Sequence, residues 1–259
     1  MGALTSYSKE PFIGSGAPDW ETSRPEEILD WALNQWHPSV AVCTSFQAAG
    51  MVILDMCCRI RPDVRVITID TGRLPAETYE MMDRVRQRYR VQLEVLFPQA
   101  EQVETLVGQH GVNLFYESFE KRQQCCQVRK VQPLERALKG LDAWIVGLRR
   151  EQTTNRTRIQ KVETDQEHGS ITKLSPLADW TDDQVWRYIR ANQVPSHPLY
   201  QQGYASIGCA PCTRALLAGE DQRAGRWWWE QDSNRECGLH CRIQSGSSHE
   251  EPAIFPAVS

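Results

Sequence analysis

The sequence has no long hydrophobic run. Its longest weakly polar stretch, Val40 to Leu54, is broken by Thr44, Ser45 and Gln47 and falls short of the roughly 20 apolar residues that a membrane-spanning helix needs. Met1 to Pro18 lacks the basic start, apolar centre and small-residue cleavage site of an export signal, so a cytoplasmic location is expected. Positive charge is not in excess. With 29 Lys and Arg against 33 Asp and Glu, the net charge of −4 gives no general attraction for nucleic acid or an anionic membrane, and any polyanion site must be local. Internal repeats and low-complexity tracts are also missing, which excludes solenoids and fibrous chains.

What remains is an ordinary globular composition, 41% hydrophobic and 24% charged over 259 residues. That length buries a sizeable core without disulfide staples. Nine cysteines are present; an odd count without an export signal argues against a secreted disulfide framework and for metal binding, catalysis or packing. Cys43, Cys57 and Cys58 sit in apolar stretches and are expected to pack as small hydrophobes. The other six lie in polar or turn-rich surroundings.

Residues 1–24, rich in Gly, Ser and Pro, form a loose lead-in. A helix carrying Ile28, Leu29, Ala32 and Leu33 follows, with Ser23 expected as its cap and Pro25 and Glu26 in its first turn. Apolar runs then alternate with helical patterns: a strand at Val40 to Cys43, a helix from Ala48 to Arg59, a strand at Val64 to Ile69 and a helix from Ala76 to Tyr89. The alternation continues through a strand at Leu93 to Leu96, helices at Ala100 to Gly108 and Gln127 to Leu138, and a strand at Ala143 to Leu148. Thr181 and Gln184 read as a capping box for a helix from Asp183 to Ala191. This order predicts an α/β fold, a doubly wound and mostly parallel sheet. One domain spans 25–218, and an Arg- and Trp-rich segment with a tail occupies 219–259.

Such sheets bind ligands at the carboxyl ends of their strands, where helix N-termini offer N–H groups to anions. Two strand ends fit that role: Thr44-Ser45-Phe46-Gln47-Ala48-Ala49-Gly50, and Asp70-Thr71-Gly72-Arg73. Either alone is an ordinary turn; together they suggest a nucleotide crevice. Arg149-Arg150, just after a predicted strand, and Arg223 with Arg226 suit bidentate recognition of sulfate or phosphate oxygens. Trp227-Trp228-Trp229 carries too much aromatic area to be left wet and is expected to pack beneath the tail.

The strongest constellation is Cys125-Cys126 with Cys209-Ala210-Pro211-Cys212. Four thiolates from two short motifs suit zinc or iron–sulfur, not a hard cation. Adjacent cysteines reach two irons of a cubane more readily than they surround one tetrahedral ion, which favours a [4Fe-4S] cluster over zinc and over simple packing. Cys237, among Gly, Ser and charged residues, is an accessible thiol that Arg235 and His240 would acidify and Glu236 would oppose. Cys241 is kept as a bystander.

Four stretches in order resemble the assimilatory sulfonucleotide reductases, in particular the bacterial type that reduces adenosine 5′-phosphosulfate with thioredoxin. They are Cys125-Cys126-Gln127-Val128-Arg129-Lys130, Tyr204 to Arg214, Gly225 to Glu230, and Glu236-Cys237-Gly238-Leu239-His240. The resemblance covers about Ala41 to His240. It implies an adenine-nucleotide hydrolase-like fold, a [4Fe-4S] cluster on Cys125, Cys126, Cys209 and Cys212, and Cys237 as the nucleophile. It also implies phosphosulfate contacts by Lys130, Arg223, Arg226 and His240, and a nucleotide edge at Ser45, Phe46, Asp70, Thr71, Gly72 and Arg73. The implied chemistry is attack of the Cys237 thiolate on the sulfonate sulfur, release of AMP, and cleavage of the S-sulfocysteine by thioredoxin or glutaredoxin to free sulfite. The reductant is expected to be a separate protein, because 19 residues follow His240; a homo-oligomer is allowed.

Gln47-Ala48-Ala49-Gly50 departs from the family pattern of a small residue followed by an acidic pair, so nucleotide recognition there is expected to differ. The nearest rival is a reductase of the 3′-phosphorylated substrate, PAPS, or of both substrates; PAPS reductases resemble this chain but lack the two cysteine pairs, so the presence of all four cysteines favours the unphosphorylated substrate. An ATP pyrophosphatase of the same fold would need a Ser-Gly-Gly type loop that Thr44 to Gly50 does not supply. A non-catalytic iron–sulfur or zinc protein is the rival from another class, and it leaves the Cys237 motif without purpose.

Overall fold

A computed structural model describes residues 18–230. Cys237, His240 and Cys241 lie outside the described residues, as do most of the 1–24 lead-in and the last part of the 219–259 segment.

Among the described residues, seven α-helices and six strands run in chain order: α1 (Pro25–Trp36), β1 (Val40–Cys43), α2 (Ala48–Ile60), β2 (Arg65–Ile69), α3 (Ala76–Tyr89), β3 (Leu93–Leu96), α4 (Ala100–His110), α5 (Phe119–Cys126), α6 (Gln132–Leu138), β4 (Ala143–Val146), β5 (Val162–Asp165), β6 (Ile171–Leu174) and α7 (Asp182–Asn192). The strands form one sheet in the order β3-β2-β1-β4-β6-β5. Every pairing is parallel except β5 with β6.

Alternation along each strand sorts its side chains onto two faces. Val40, Val42, Val66, Ala143 and Ile145 face a core shared with α1, α2, α3 and α7. Ala41, Ile67, Trp144 and Val146 face the opposite one, packed on Leu134 and Leu138 of α6. Central strands buried on both sides have no polar face, which is why β1 and β4 read as continuous apolar runs. Helix α2 is apolar nearly all round and is accordingly buried at Ala48, Ala49 and from Met51 to Cys57. Cys57 packs in the first core as expected; Cys43 and Cys58 are only partly buried.

Two local expectations change. The N-cap of α1 is Arg24, not Ser23: the Glu27 carboxylate accepts the Arg24 backbone N–H at 2.9 Å and so fixes the first turn one residue later. The expected helix from Gln127 to Leu138 is longer and has a wide turn, with α5 passing through a π-helical segment, Gln127–Val131, into α6. Pro133 has no N–H to give the carbonyl of the preceding turn, and the Gln132 N–H instead reaches back five residues to Gln127. The Thr181–Gln184 capping box is present in both directions, at 3.2 and 2.7 Å. Strands β5 and β6 were not foreseen.

Candidate active site and neighbouring thiol cluster

The strand order reverses between β1 and β4, and parallel sheets open a crevice at such a reversal. Here Gly147 makes the crevice tight. A Cβ on Gly147 would stand 2.6 Å from the backbone nitrogen of Gly50, so the N-terminal turn of α2 rests directly on the end of β4. A cavity of about 700 Å³ opens over these strand ends.

Its floor is Thr44, Ser45, Ala48, Ala49 and Gly50. The Thr44 hydroxyl accepts the Phe46 N–H at 3.0 Å, turning the chain sharply, with Phe46 in the left-handed region at φ 59°. One N–H of the helix end is engaged: Ala48 N donates to the Tyr200 hydroxyl at 2.9 Å. The departure at Gln47 has a structural role, because its side-chain oxygen accepts the Ile207 N–H at 2.9 Å and ties this loop to the opposite wall. That wall, Tyr204 to Cys209, carries Ser206, whose hydroxyl lies 3.4 Å from Arg223 and 3.3 Å from Arg226.

The cavity is cationic. Lys130, Arg149, Arg156, Arg223 and Arg226 line it together with Asp182. Arg149 is ion-paired within the protein: its two terminal nitrogens reach Asp182 at 2.8 Å, Glu151 at 3.2 Å and the Trp180 carbonyl at 3.1 Å, while its Nε has no hydrogen-bond partner, so it shapes the wall more than it offers charge. Arg226 differs. It is 5% exposed, has no carboxylate partner among the described residues, and its Nε has no hydrogen-bond partner. A buried guanidinium lacking a counter-ion favours an anion in the adjoining space.

Of the residues expected at the site, Ser45, Thr71, Lys130, Arg149, Arg223 and Arg226 line this cavity, and Phe46, Asp70, Gly72, Arg73 and Arg150 do not. Phe46 is buried in the core beneath the loop. Asp70 holds its own turn, accepting the Gly72 N–H at 2.7 Å and the Tyr79 hydroxyl at 3.0 Å. Arg73 turns to the Val112 carbonyl at 2.6 Å and over the Phe115 ring. Arg150 is drawn away by the Ile159 carbonyl at 2.8 Å and by an ion pair with Glu21. Sequence reasoning missed Arg156, which is 6% exposed and bonded to Gln152 at 2.5 Å. Its only signal was an arginine after a strand end in a polar stretch.

Beside the cavity, Cys125, Cys126, Cys209 and Cys212 line a second, smaller one with Arg73, Phe115, Arg122, Arg129, Lys130 and Pro211. All four thiols are buried, and none is in a disulfide. Cys125 and Cys126 end α5, and the other pair sits on a short helical turn held by Ala210 N to the Arg73 carbonyl at 2.8 Å and Tyr116 OH to the Pro211 carbonyl at 2.9 Å. Burial pushes the Cys212 thiol up to about 11, with Cys209 adding to the shift, and burial also raises Cys125. For Cys209 burial acts in the same upward sense, yet Lys130, the Thr71 hydroxyl at 3.2 Å and Arg226 together outweigh it and bring the thiol below its ordinary value. As placed, no group of three or more His, Cys, Asp or Glu among the described residues is set to hold a single metal ion. The three tryptophans divide: Trp227 is 1% exposed in the apolar shell of the thiols, Trp229 packs against that shell, and Trp228 is 38% exposed.

Residues 39–215 match the phosphoadenosine phosphosulfate reductase domain. The chain is 47% identical to an adenosine 5′-phosphosulfate reductase of Burkholderia cepacia, covering 85% of this chain and 89% of that one. It is 45% identical to the protein of that name in Allochromatium vinosum, over 85% and 84%. Among solved structures, the phosphoadenylyl-sulfate reductase of Candida auris is similar at a TM-score of 0.64 and 31% identity, covering 74% of this chain and 91% of that one. An FMN adenylyltransferase of Candida glabrata, 16% identical with a TM-score of 0.53 and covering 79% of this chain and 70% of that one, is similar in fold alone. With its cationic crevice at the strand reversal and this similarity along most of its length, the chain belongs to the phosphoadenosine phosphosulfate reductase family, alongside relatives named adenosine 5′-phosphosulfate reductase.

Proposed function

We propose that this protein reduces adenosine 5′-phosphosulfate to sulfite and AMP in sulfate assimilation toward cysteine. The observation that carries the reading is the buried Arg226, without a carboxylate partner among the described residues, in a cavity at the strand reversal beside Lys130 and Arg223. The nucleoside occupies the floor over Ser45 to Gly50, and the phosphosulfate lies toward the three cations. Breaking the sulfur–oxygen bond leaves negative charge on the phosphate oxygens, and cations aimed there in a water-poor site stabilise it.

Cys237 supplies the thiolate that attacks the sulfonate sulfur, forming a sulfur–sulfur bond as the bond to the AMP oxygen breaks. His240 joins the cations around the phosphosulfate. A dithiol protein, thioredoxin or glutaredoxin, then gives two electrons to the S-sulfocysteine, releasing sulfite and regenerating the Cys237 thiol while its own pair becomes a disulfide.

The four buried thiols fit a [4Fe-4S] cluster: the donor set is sulfur only, and Arg73, Arg122, Arg129 and Lys130 around it balance the charge of thiolate ligands. Cys125, Cys126, Cys209 and Cys212 would hold it. When bound, it supplies a fixed electrostatic neighbour to Lys130. A zinc site, the alternative for the same thiols, is separated from it by metal analysis.

The test is intact mass of anaerobically purified protein mixed with substrate and no reductant. One added sulfonate, absent in Cys237→Ser and removed by thioredoxin, is expected. An adduct formed with PAPS alone would move the assignment to the 3′-phosphorylated substrate, and no adduct with either would sink it.

A further inference from the structure

Two guanidinium groups lie against the ring of Trp227. Arg122 Cζ lies 4.4 Å from its ring centroid and Arg226 Cζ lies 4.6 Å from it. Arg122, fully buried in α5, also packs on Phe119 at 4.9 Å and forms an ion pair with Glu230. Two cations on one ring repel each other, and the Glu230 carboxylate offsets one of them. Arg226 is confined by backbone too: a Cβ on Gly208 would fall 2.3 Å from its guanidinium, so both the Gly208 backbone and the Trp227 ring crowd the group.

The backbone is committed to this arrangement. Trp227 holds φ at 44°, a conformation that L residues other than Gly, Asn and Asp adopt at a cost. Its N–H reaches the Cys212 carbonyl at 3.3 Å, and its own carbonyl takes the Glu230 N–H at 2.9 Å. The turn from Arg226 to Glu230 therefore brings Glu230 back to Arg122 on the helix that presents Cys125 and Cys126 one turn later.

We propose that the Arg122–Glu230 pair is a positioning element that, through the Trp227 ring, sets where the Arg226 guanidinium meets the anionic part of the substrate. This rests on the reading of the cavity as the site of a nucleotide-activated sulfate. Neither Arg122 nor Glu230 lines that cavity, so their effect on the ligand runs through Arg226.

The test uses full-length protein in a Cys237→Ala background, which binds without turnover, and reads the Kd of adenosine 5′-phosphosulfate by calorimetry. Glu230→Gln and Arg226→Ala are each expected to weaken binding about tenfold, and the double variant is expected to be no weaker than Arg226→Ala alone, because both remove one interaction. Glu230→Asp, which keeps the carboxylate, is expected to restore most of the affinity. Should the lone Gln leave Arg122 buried and unpaired and the chain unfolded, Arg122→Met with Glu230→Gln removes both charges and is expected to show the same weakening. Unchanged affinity in that pair, or single effects that multiply to about a hundredfold in the double variant, overturns the positioning role alone. A Cys237→Ala protein that binds no substrate overturns the cavity assignment, and the positioning role with it.

Discussion

Tyr200 and Ala48 meet across the cavity: the Tyr200 hydroxyl accepts the backbone N–H of Ala48 at 2.9 Å, closing the first turn of α2 with a side chain 152 residues away. Helix α2 has no side-chain cap of its own, so this bond takes the place of one. Tyr200 is in turn held edge-on by Trp186 at 5.0 Å.

Tyr200→Phe keeps the ring and loses the acceptor. The unpaired amide costs about 1–3 kcal/mol if it is buried. The expected outcome is a lower urea midpoint with an unchanged slope and a severalfold higher KM. Equal midpoints in the two proteins would remove Tyr200 from the cap.

Gly147→Ala drives a methyl into the backbone of Ala49 and Gly50, where atoms would stand 2.6 to 2.9 Å away. Backbone cannot yield as a side-chain tip does. Overpacking of this kind costs roughly 1–3 kcal/mol and lowers Tm by about 2–4 °C per kcal/mol in a chain of this size. The floor of the cavity moves with α2, so nucleotide affinity is expected to fall as well; calorimetry and a thermal melt on the same sample check both.

His197 gives a pH dependence. Burial of its imidazole, partly offset by the Glu77 carboxylate and reinforced by Arg84, lowers it from 6.5 to about 4. It is 1% exposed and bonds Thr78 Oγ1 at 3.0 Å and Leu199 N at 3.3 Å. The unfolded chain takes up the proton first. The stability from keeping His197 neutral is therefore whole above about pH 6.5 and is lost as pH falls toward 4. Between pH 7 and 5 the loss is on the order of 2 kcal/mol. His197→Gln is expected to flatten this part of the pH–stability curve; parallel curves for the two proteins would show that another group carries it.

Cys209→Ala takes one thiol from the shared shell. Anaerobically purified variant is expected to lose most of its bound iron and the broad visible absorption, read by colorimetric iron and by spectrum. Zinc in place of iron in the wild type would instead favour the single-ion alternative.

The central sheet was legible because β1, β2 and β4 are apolar on both faces and the helices between them carry one clear stripe. Strands β5 and β6 were not, because Val162-Glu163-Thr164-Asp165 and Ile171-Thr172-Lys173-Leu174 are short and half polar. Their place is set by pairing, β6 on β4 and β5 on β6, not by local pattern. The two cysteine pairs stood out by their spacing, whereas the different courses of Arg150 and Arg156 were not legible: both follow β4, and only the tertiary fold sends one to Glu21 and the other into the cavity. The Arg122–Trp227–Arg226 stack joins segments roughly a hundred residues apart, a relationship no local window contains.

Lys130 and Cys209 belong to both cavities at once, lining the ligand space on one side and the thiol pocket on the other. The two compartments share a party wall one residue thick. A substitution that retunes the thiols therefore alters the surface the ligand meets, and one made for a new ligand alters the thiols. For directed evolution of this scaffold, ligand range and the state of the thiol pocket are a single trait, to be selected together.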